Sequence, residues 1–194
     1  MTRLKNLIDV LIVSGNTQMR QSIKDNLNRD VFYPVNIAEN AEQARRLLSR
    51  SSFGLAVIDT PLPFESGIEL ALDIAESSYC SVILAVNSER LDETRYRVED
   101  SGVVTVAKPL QRDQFSSALH LCTATYSRLM LLEKENEKLR TKLEELRLVN
   151  RAKWALCENL GMDEPSAHRY IEKKAMDNRI TRLSVAKQIL KEYH

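Results

Sequence analysis

Two patterns of hydrophobic and polar positions follow one another along this chain. In the first half, short apolar or β-branched runs alternate with amphipathic stretches at steps of three and four. DVLIVSGN from Asp9 reads as a strand ending at Gly15, with Asn16 or Thr17 placed to cap a helix over 18–28. Phe32–Ile37, Leu55–Ile58, Ser81–Val86 and Val103–Val106 are further strands, and helices are expected over 41–49, 67–77 and about 90–100. LAVI and SVILAV are apolar at consecutive positions, as strands covered on both faces must be. Five strands alternating with helices predict an α/β fold with a parallel sheet.

The second pattern is one long helix, expected from Phe115 to Leu160, which contains neither Pro nor Gly. Leu129, Leu132, Asn136, Leu139, Leu143, Leu146 and Asn150 recur along it at alternating steps of three and four. With Leu132, Leu139 and Leu146 at d, Leu129, Asn136, Leu143 and Asn150 fall at a, and an a-position Asn suits a parallel two-stranded coiled coil. Arg128 then faces Glu133 and Glu135 faces Arg140 across the pair, whereas Lys142 facing Arg147 is repulsive. The alternative, an antiparallel hairpin within one chain, lacks a second heptad run to supply the partner. A homodimer through these seam positions is the expectation.

Charge sharpens the division. Residues 1–127 carry 13 Lys/Arg against 16 Asp/Glu (−3), 128–150 carry 6 against 5 (+1), and 151–194 carry 9 against 6 (+3), which together make the net +1 of the 194-residue chain. A polyanionic partner is therefore sought first at the C-terminal end. The three cysteines, Cys80, Cys122 and Cys157, are widely spaced and indicate neither a disulfide framework nor a metal site. The apolar run Leu7–Val13 is broken by Asp9, and no stretch reaches the length of a membrane span. A reducing, cytoplasmic compartment and no membrane partner are expected.

In a parallel sheet, reactive groups gather at the carboxyl ends of the strands. Those ends hold Ser14-Gly15-Asn16, Asp59, Val86-Asn87-Ser88 and Lys108-Pro109. LAVIDTPLPFESG (Asp59, Pro63, Gly67) and VAKPL (Lys108, Pro109) resemble the receiver domain of response regulators in two-component signalling, over residues 8 to about 125. The resemblance implies a flavodoxin-like five-stranded parallel sheet with Asp59 at the phosphoacceptor position and Lys108 beside it. In that family an acidic pair just after the first strand holds Mg²⁺; here those positions are Ser14 and Gly15. The switch hydroxyl position is Val86, and the aromatic switch position on the fifth strand is Thr105. A degenerate receiver is expected, with Asp59 and Lys108 forming an ion pair, no phosphorylation, and a regulatory protein partner as the route for a signal.

Beyond Asn150 the chain is short, basic and helical. Gly161 is placed to end the long helix, Asp163 to cap a second helix with Pro165 in its first turn, and a third helix starts near Thr181 or Ser184. Arg151-Ala152-Lys153 with Leu156, Gly161-Met162 with Asp163-Glu164, then Ala167, Ala175-Met176, Arg179 and Val185-Ala186 resemble the ANTAR domain of AmiR/NasR-type transcription antiterminators, across roughly 143–190. Trp154 stands where a small residue is common and Cys157 where Met is common. The resemblance implies RNA binding, with paired leader hairpins as the target. The candidate RNA contacts are Arg151, Lys153, Arg169, Tyr170, Lys173, Lys174, Arg179 and Arg182, with Lys187 and His168 nearby in sequence.

The domains are expected at 1–122 (receiver-like), 123–150 (coiled-coil linker) and 151–194 (three-helix ANTAR module). Two other readings stay open: a DNA-binding response regulator, and a signalling dimer without a nucleic-acid partner. Catalysis, a metal and a cofactor are not expected. There is no Gly-rich phosphate loop, and His120, His168 and His194 are scattered.

Overall fold

A computed structural model describes residues 7–193; residues 1–6 of the expected receiver segment and His194 lie outside the described residues. The chain divides into two compact units at Leu131/Leu132.

In the first unit, strands β1 (Ile8–Val13), β2 (Phe32–Ala38), β3 (Leu55–Asp59), β4 (Ser81–Asn87) and β5 (Val104–Lys108) form one parallel sheet in the order β2-β1-β3-β4-β5. Helices α1 (Thr17–Asn26), α2 (Ala41–Leu48), α3 (Ile68–Ser77) and α4 (Leu91–Val98) connect them. The period-two alternation of the strands feeds two cores. Leu11, Val13, Ala56, Ile58, Val82 and Leu84 pack against α2, α3 and Val98 of α4. Val10, Ile12, Val57, Ile83 and Ala85 turn the other way, toward Ile23 of α1 and Phe115, Ala118, Leu119 and Cys122 of α5. Covering on both faces is why β3 and β4 read as unbroken apolar runs, while the edge strand β2 is largely exposed.

Element ends differ from the sequence reading by a few residues. Asp59 and Lys108 are the last residues of β3 and β5 and pair within the sheet with Ala85 and Asn87, instead of following their strands. Asn16 caps α1, accepting from the N–H groups of Gln18 and Met19.

Helix α5 runs from Arg112 to Leu160, beginning three residues earlier than expected. Its polar first turn carries no apolar signal, and Phe115 is the first residue to enter the core. In the second unit the end of α5 packs Val149, Ala152 and Leu156 against α6 (Glu164–Asn178) and α7 (Arg182–Glu192). Ala167, Ile171, Ala175, Val185, Ala186 and Ile189 complete this small core. Gly161, at φ +62°, follows the last residue of α5. Asp163 caps α6 through the N–H of Ser166 at 2.9 Å, and Thr181 caps α7 through the N–H of Ser184 at 3.1 Å. Helix α6 runs through Asn178 and is ended by Arg179 in the left-handed conformation, φ +52°.

Candidate functional site

At the carboxyl edge of the sheet, β1 and β3 lie side by side, bringing Ser14 against Asp59. The Ser14 hydroxyl donates to Asp59 Oδ2 at 2.7 Å and accepts the N–H of Asn16 at 3.0 Å. Lys108, at the end of β5, places Nζ 2.8 Å from Asp59 Oδ1 and also donates to the carbonyl of Thr60. Ser14 is fully buried and Asp59 is 7% exposed. A buried carboxylate with one oxygen on a hydroxyl and the other on an ammonium is satisfied within its own chain.

The Mg²⁺ that a receiver resemblance implies does not fit this donor set. The acidic-pair positions are occupied by Ser14 and Gly15, so neither offers Asp59 a second carboxylate. A Cβ on Gly15 would sit 2.8 Å from Cγ of Pro63, so that position cannot take an acidic side chain unless the Pro63 turn moves. Among the described residues, no group of three or more His, Cys, Asp or Glu is arranged to hold a metal ion.

The switch positions follow suit. Val86 is buried and has no hydroxyl to offer. Thr105 is half-buried, and its hydroxyl accepts from Arg95 Nε at 3.3 Å. The hydroxyl of Thr60, next to Asp59, is spent on the carbonyl of Ala85 at 2.9 Å.

Sequence reasoning paired Asp59 with Lys108 but missed Ser14 as the second partner. It also missed Phe64, which is fully exposed at φ +72° in the Leu62-Pro63-Phe64-Glu65 turn. Pro followed by a positive φ is the pattern of a type II turn, where Gly or Asn is usual.

In the second unit the eight basic and aromatic candidates separate by environment. Ala167, Ile171 and Ala175 hold the inner face of α6, which turns Arg169, Tyr170 and Lys173 outward, with Lys174 on the flank. Lys174 Nζ lies 5.5 Å from the centre of the Tyr170 ring. Lys153 and Arg182 are instead engaged with carboxylates. Lys153 pairs with Glu164 at 2.7 Å, and Arg182 lies 3.7 Å from Glu145 and 3.6 Å from Glu172. Arg151 and Arg179 are exposed, Arg151 on α5 and Arg179 just after α6. His168 lies 3.3 Å from Glu172.

On α5 the seam leucines divide: Leu129 is half-buried, and the four that follow it are exposed. Leu132, Leu139, Leu143 and Leu146 are 50–61% exposed.

A doubly wound receiver fold and a helical output module define a response regulator by architecture. Comparison with known proteins makes this specific: residues 10–120 match the response regulator receiver domain and residues 137–190 match the ANTAR domain. The chain belongs to the response regulator receiver family and carries a C-terminal ANTAR domain. It is 28% identical over 182 residues to the transcriptional regulatory protein PdtaR of Mycobacterium tuberculosis, covering 93% of this chain and 88% of the relative. Among solved structures, the sheet unit resembles an adenylate cyclase from Rhodopirellula baltica (TM-score 0.60, 19% identity, 68% of this chain and 98% of that one). It also resembles the chemotaxis response regulator CheY4 of Vibrio cholerae (TM-score 0.52, 20% identity, 60% and 99%). These two likenesses define the fold alone. No helix among the described residues is long and apolar enough to cross a membrane.

Proposed function

We propose that this chain is a dimeric RNA-binding transcription antitermination regulator. In this reading it binds paired hairpins in a nascent leader transcript, so that an overlapping terminator hairpin cannot form. The observation that carries the reading is the juxtaposition on one helix of an ANTAR domain and a seam of exposed leucines. Fully burying an exposed leucine is worth about 1.5–3 kcal/mol, so four half-exposed leucines per chain favour pairing of two helices, and Asn136 at an a position favours the parallel arrangement.

Within each module, the outward face of α6 with Arg169, Tyr170, Lys173 and Lys174 is the first candidate for RNA. Cations reach phosphates and 2′-hydroxyls of the stem, while the phenol ring can stack on an unpaired loop base. Arg151 on α5 and Arg179 just after α6, both exposed, are further candidates. Lys153 and Arg182 would have to exchange a carboxylate for a phosphate, which makes them weaker contributors. A module of modest charge binds one hairpin weakly, and a dimer gains the second through effective concentration.

The receiver, in this reading, works without phosphorylation. Ser14 and Lys108 occupy both oxygens of Asp59, and no acidic pair stands beside it to hold Mg²⁺. A signal enters instead by protein docking. An open groove of about 470 Å³ is lined by Leu91, Arg95, Thr105, Ala118 and Leu121, and Leu121 is 56% exposed. It lies on the β5 side, where a phospho-switch would otherwise act.

The test is single-round transcription in vitro through a leader with two hairpins ahead of a terminator. Readthrough should rise with added protein and stay unchanged with acetyl phosphate. Readthrough that never rises would defeat the antitermination reading, and a rise only with acetyl phosphate would defeat the phosphate-independent one.

A further inference from the structure

The apolar seam of α5 does not end at its last leucine. The register that puts Asn136, Leu143 and Asn150 at a places Val149 at g and Trp154 at e. Trp154 is the chain's single tryptophan, and 69% of its surface is exposed at the end of α5. Within the same unit, a mainly apolar cleft of about 430 Å³ lies between α5, α6 and α7. Leu146, Val149 and Asn150 line it from α5, and His168 and Arg182 line it from α6 and α7. Two of those α5 residues are seam positions, so the cleft opens toward the line along which a second helix would run.

In a parallel two-stranded coil, a g residue faces the e residue five positions further along the partner. Val149 therefore faces residue 154 of the second helix. We propose that the Trp154 indole of one chain seats in the α5–α6–α7 cleft of a second copy, reciprocally, so that each ANTAR module is completed by the other chain's helix. The inference rests on the parallel dimer of the preceding section and deepens it.

The chemistry of cleft and occupant agrees. Leu146, 61% exposed, supplies apolar surface above the nearly buried Val149; Arg182, paired with Glu145 and Glu172, and Lys142 stand at the edge for the π-face of an indole, and Glu145 offers an acceptor for its N–H. An aromatic residue of this size is a costly thing to leave in water, and its pairing partner in the register is apolar. The pair Val149–Trp154 thus continues the seam through the stretch where Asn150 and Lys153 make a and d polar. It also gives coil and module a common fate, because α6, which carries the candidate RNA face, borders the cleft through His168.

A sole tryptophan makes the proposal directly readable. Emission and acrylamide quenching are measured on the full chain across a dilution series, alongside sedimentation. The dimer should show blue-shifted emission and severalfold weaker quenching, and both should revert on dilution to monomer and in Leu139→Asp, a seam change distant from the cleft. Dilution of the wild type supplies the same comparison should that variant misfold. A dimer whose tryptophan is fully quenched overturns the cleft assignment and leaves the coil standing, whereas a chain that is monomeric at every concentration overturns both. Shielding that persists in the monomer means that Trp154 is covered by its own chain, and shielding that arises only on adding hairpin RNA makes it a stacking residue. Either result overturns the proposal.

Discussion

Ser14 and Asp59, on adjacent strands at the carboxyl edge of the sheet, are joined by a hydrogen bond of 2.7 Å, with both residues buried. Lys108 holds the other carboxylate oxygen at 2.8 Å. Asp59, at the expected phosphoacceptor position, is thus held on one oxygen by Ser14 and on the other by Lys108.

Cutting the network should lower receiver stability and leave RNA binding alone. Ser14→Ala removes a hydrogen bond to a charged acceptor and should cost about 1–3 kcal/mol. Lys108→Ala leaves a buried carboxylate without its ammonium. It should cost about 2–3 kcal/mol, below the range for a fully buried pair because 21% of the Lys108 side chain is exposed. Urea unfolding checks both, with hairpin affinity measured alongside. Under our account Asp59→Asn binds RNA as the wild type does, and a marked change in affinity would return phospho-control to this site.

The three thiols should separate sharply in the folded chain. Burial pushes Cys80 and Cys122 up to about 12, the neighbouring Cys122 adding to the effect on Cys80, so neither offers thiolate near neutral pH. Cys157 is half-buried in the second unit. A maleimide is expected to label Cys157 first and the other two only in denaturant. Rapid labelling of Cys122 would mean that the packing of α5 on the sheet opens readily, and rapid labelling of Cys80 that the core beneath α3 does.

Acid should loosen the start of α6. The hydroxyl and backbone N–H of Ser166 hold the Asp163 carboxyl below the ordinary aspartate range, and Lys153 does the same for Glu164. A carboxyl whose folded value is depressed contributes stability above its unfolded pKa and loses it as pH falls through the folded one. The protection of the Ser166 amide against hydrogen exchange, taken relative to the intrinsic rate at each pH, should therefore fall in the acid range below the usual carboxylate values. Asp163→Asn keeps a capping acceptor, and its acid response should be flatter. Equal acid responses in the two proteins would remove Asp163 as the cause.

The Phe64 turn stores strain that substitution should release. A β-carbon at φ +72° costs roughly 1–2 kcal/mol, and the fully exposed ring buries nothing in return. Phe64→Asn, which tolerates this conformation, should raise receiver stability by about 1 kcal/mol. A loss of stability in thermal unfolding would show that the ring packs in solution.

The elements easiest to read in sequence were those with one strong cause. Strands β3 and β4 are runs of apolar residues because both sheet faces are covered, and α5 is an uninterrupted series of good helix formers ended by a glycine. What escaped reading depends on three-dimensional neighbours. Ser14 meets Asp59 across 45 positions of sequence, through strand pairing that no local pattern encodes. Helix α6 runs through Asn178 and is ended by Arg179, whose left-handed backbone has no signature of its own. Lys153 and Arg182 look like free cations in a basic segment until the fold brings Glu164, Glu145 and Glu172 to them. The outward face of α6 was legible, because Ala167, Ile171 and Ala175 at helical spacing fix which side is buried.

The central claim is that two ANTAR modules act together on RNA through one coiled coil. It is tested most directly by measuring the affinity of the full chain for a leader RNA with two hairpins, the same RNA with one hairpin deleted, and duplex DNA, over a salt series. The measurement is made for the wild type and for Leu143→Asp, shown to be monomeric by sedimentation. Our account expects tight, salt-dependent, RNA-selective binding that collapses both on deleting a hairpin and on breaking the dimer. Undiminished binding by the monomeric variant, or equal binding to duplex DNA, would contradict it.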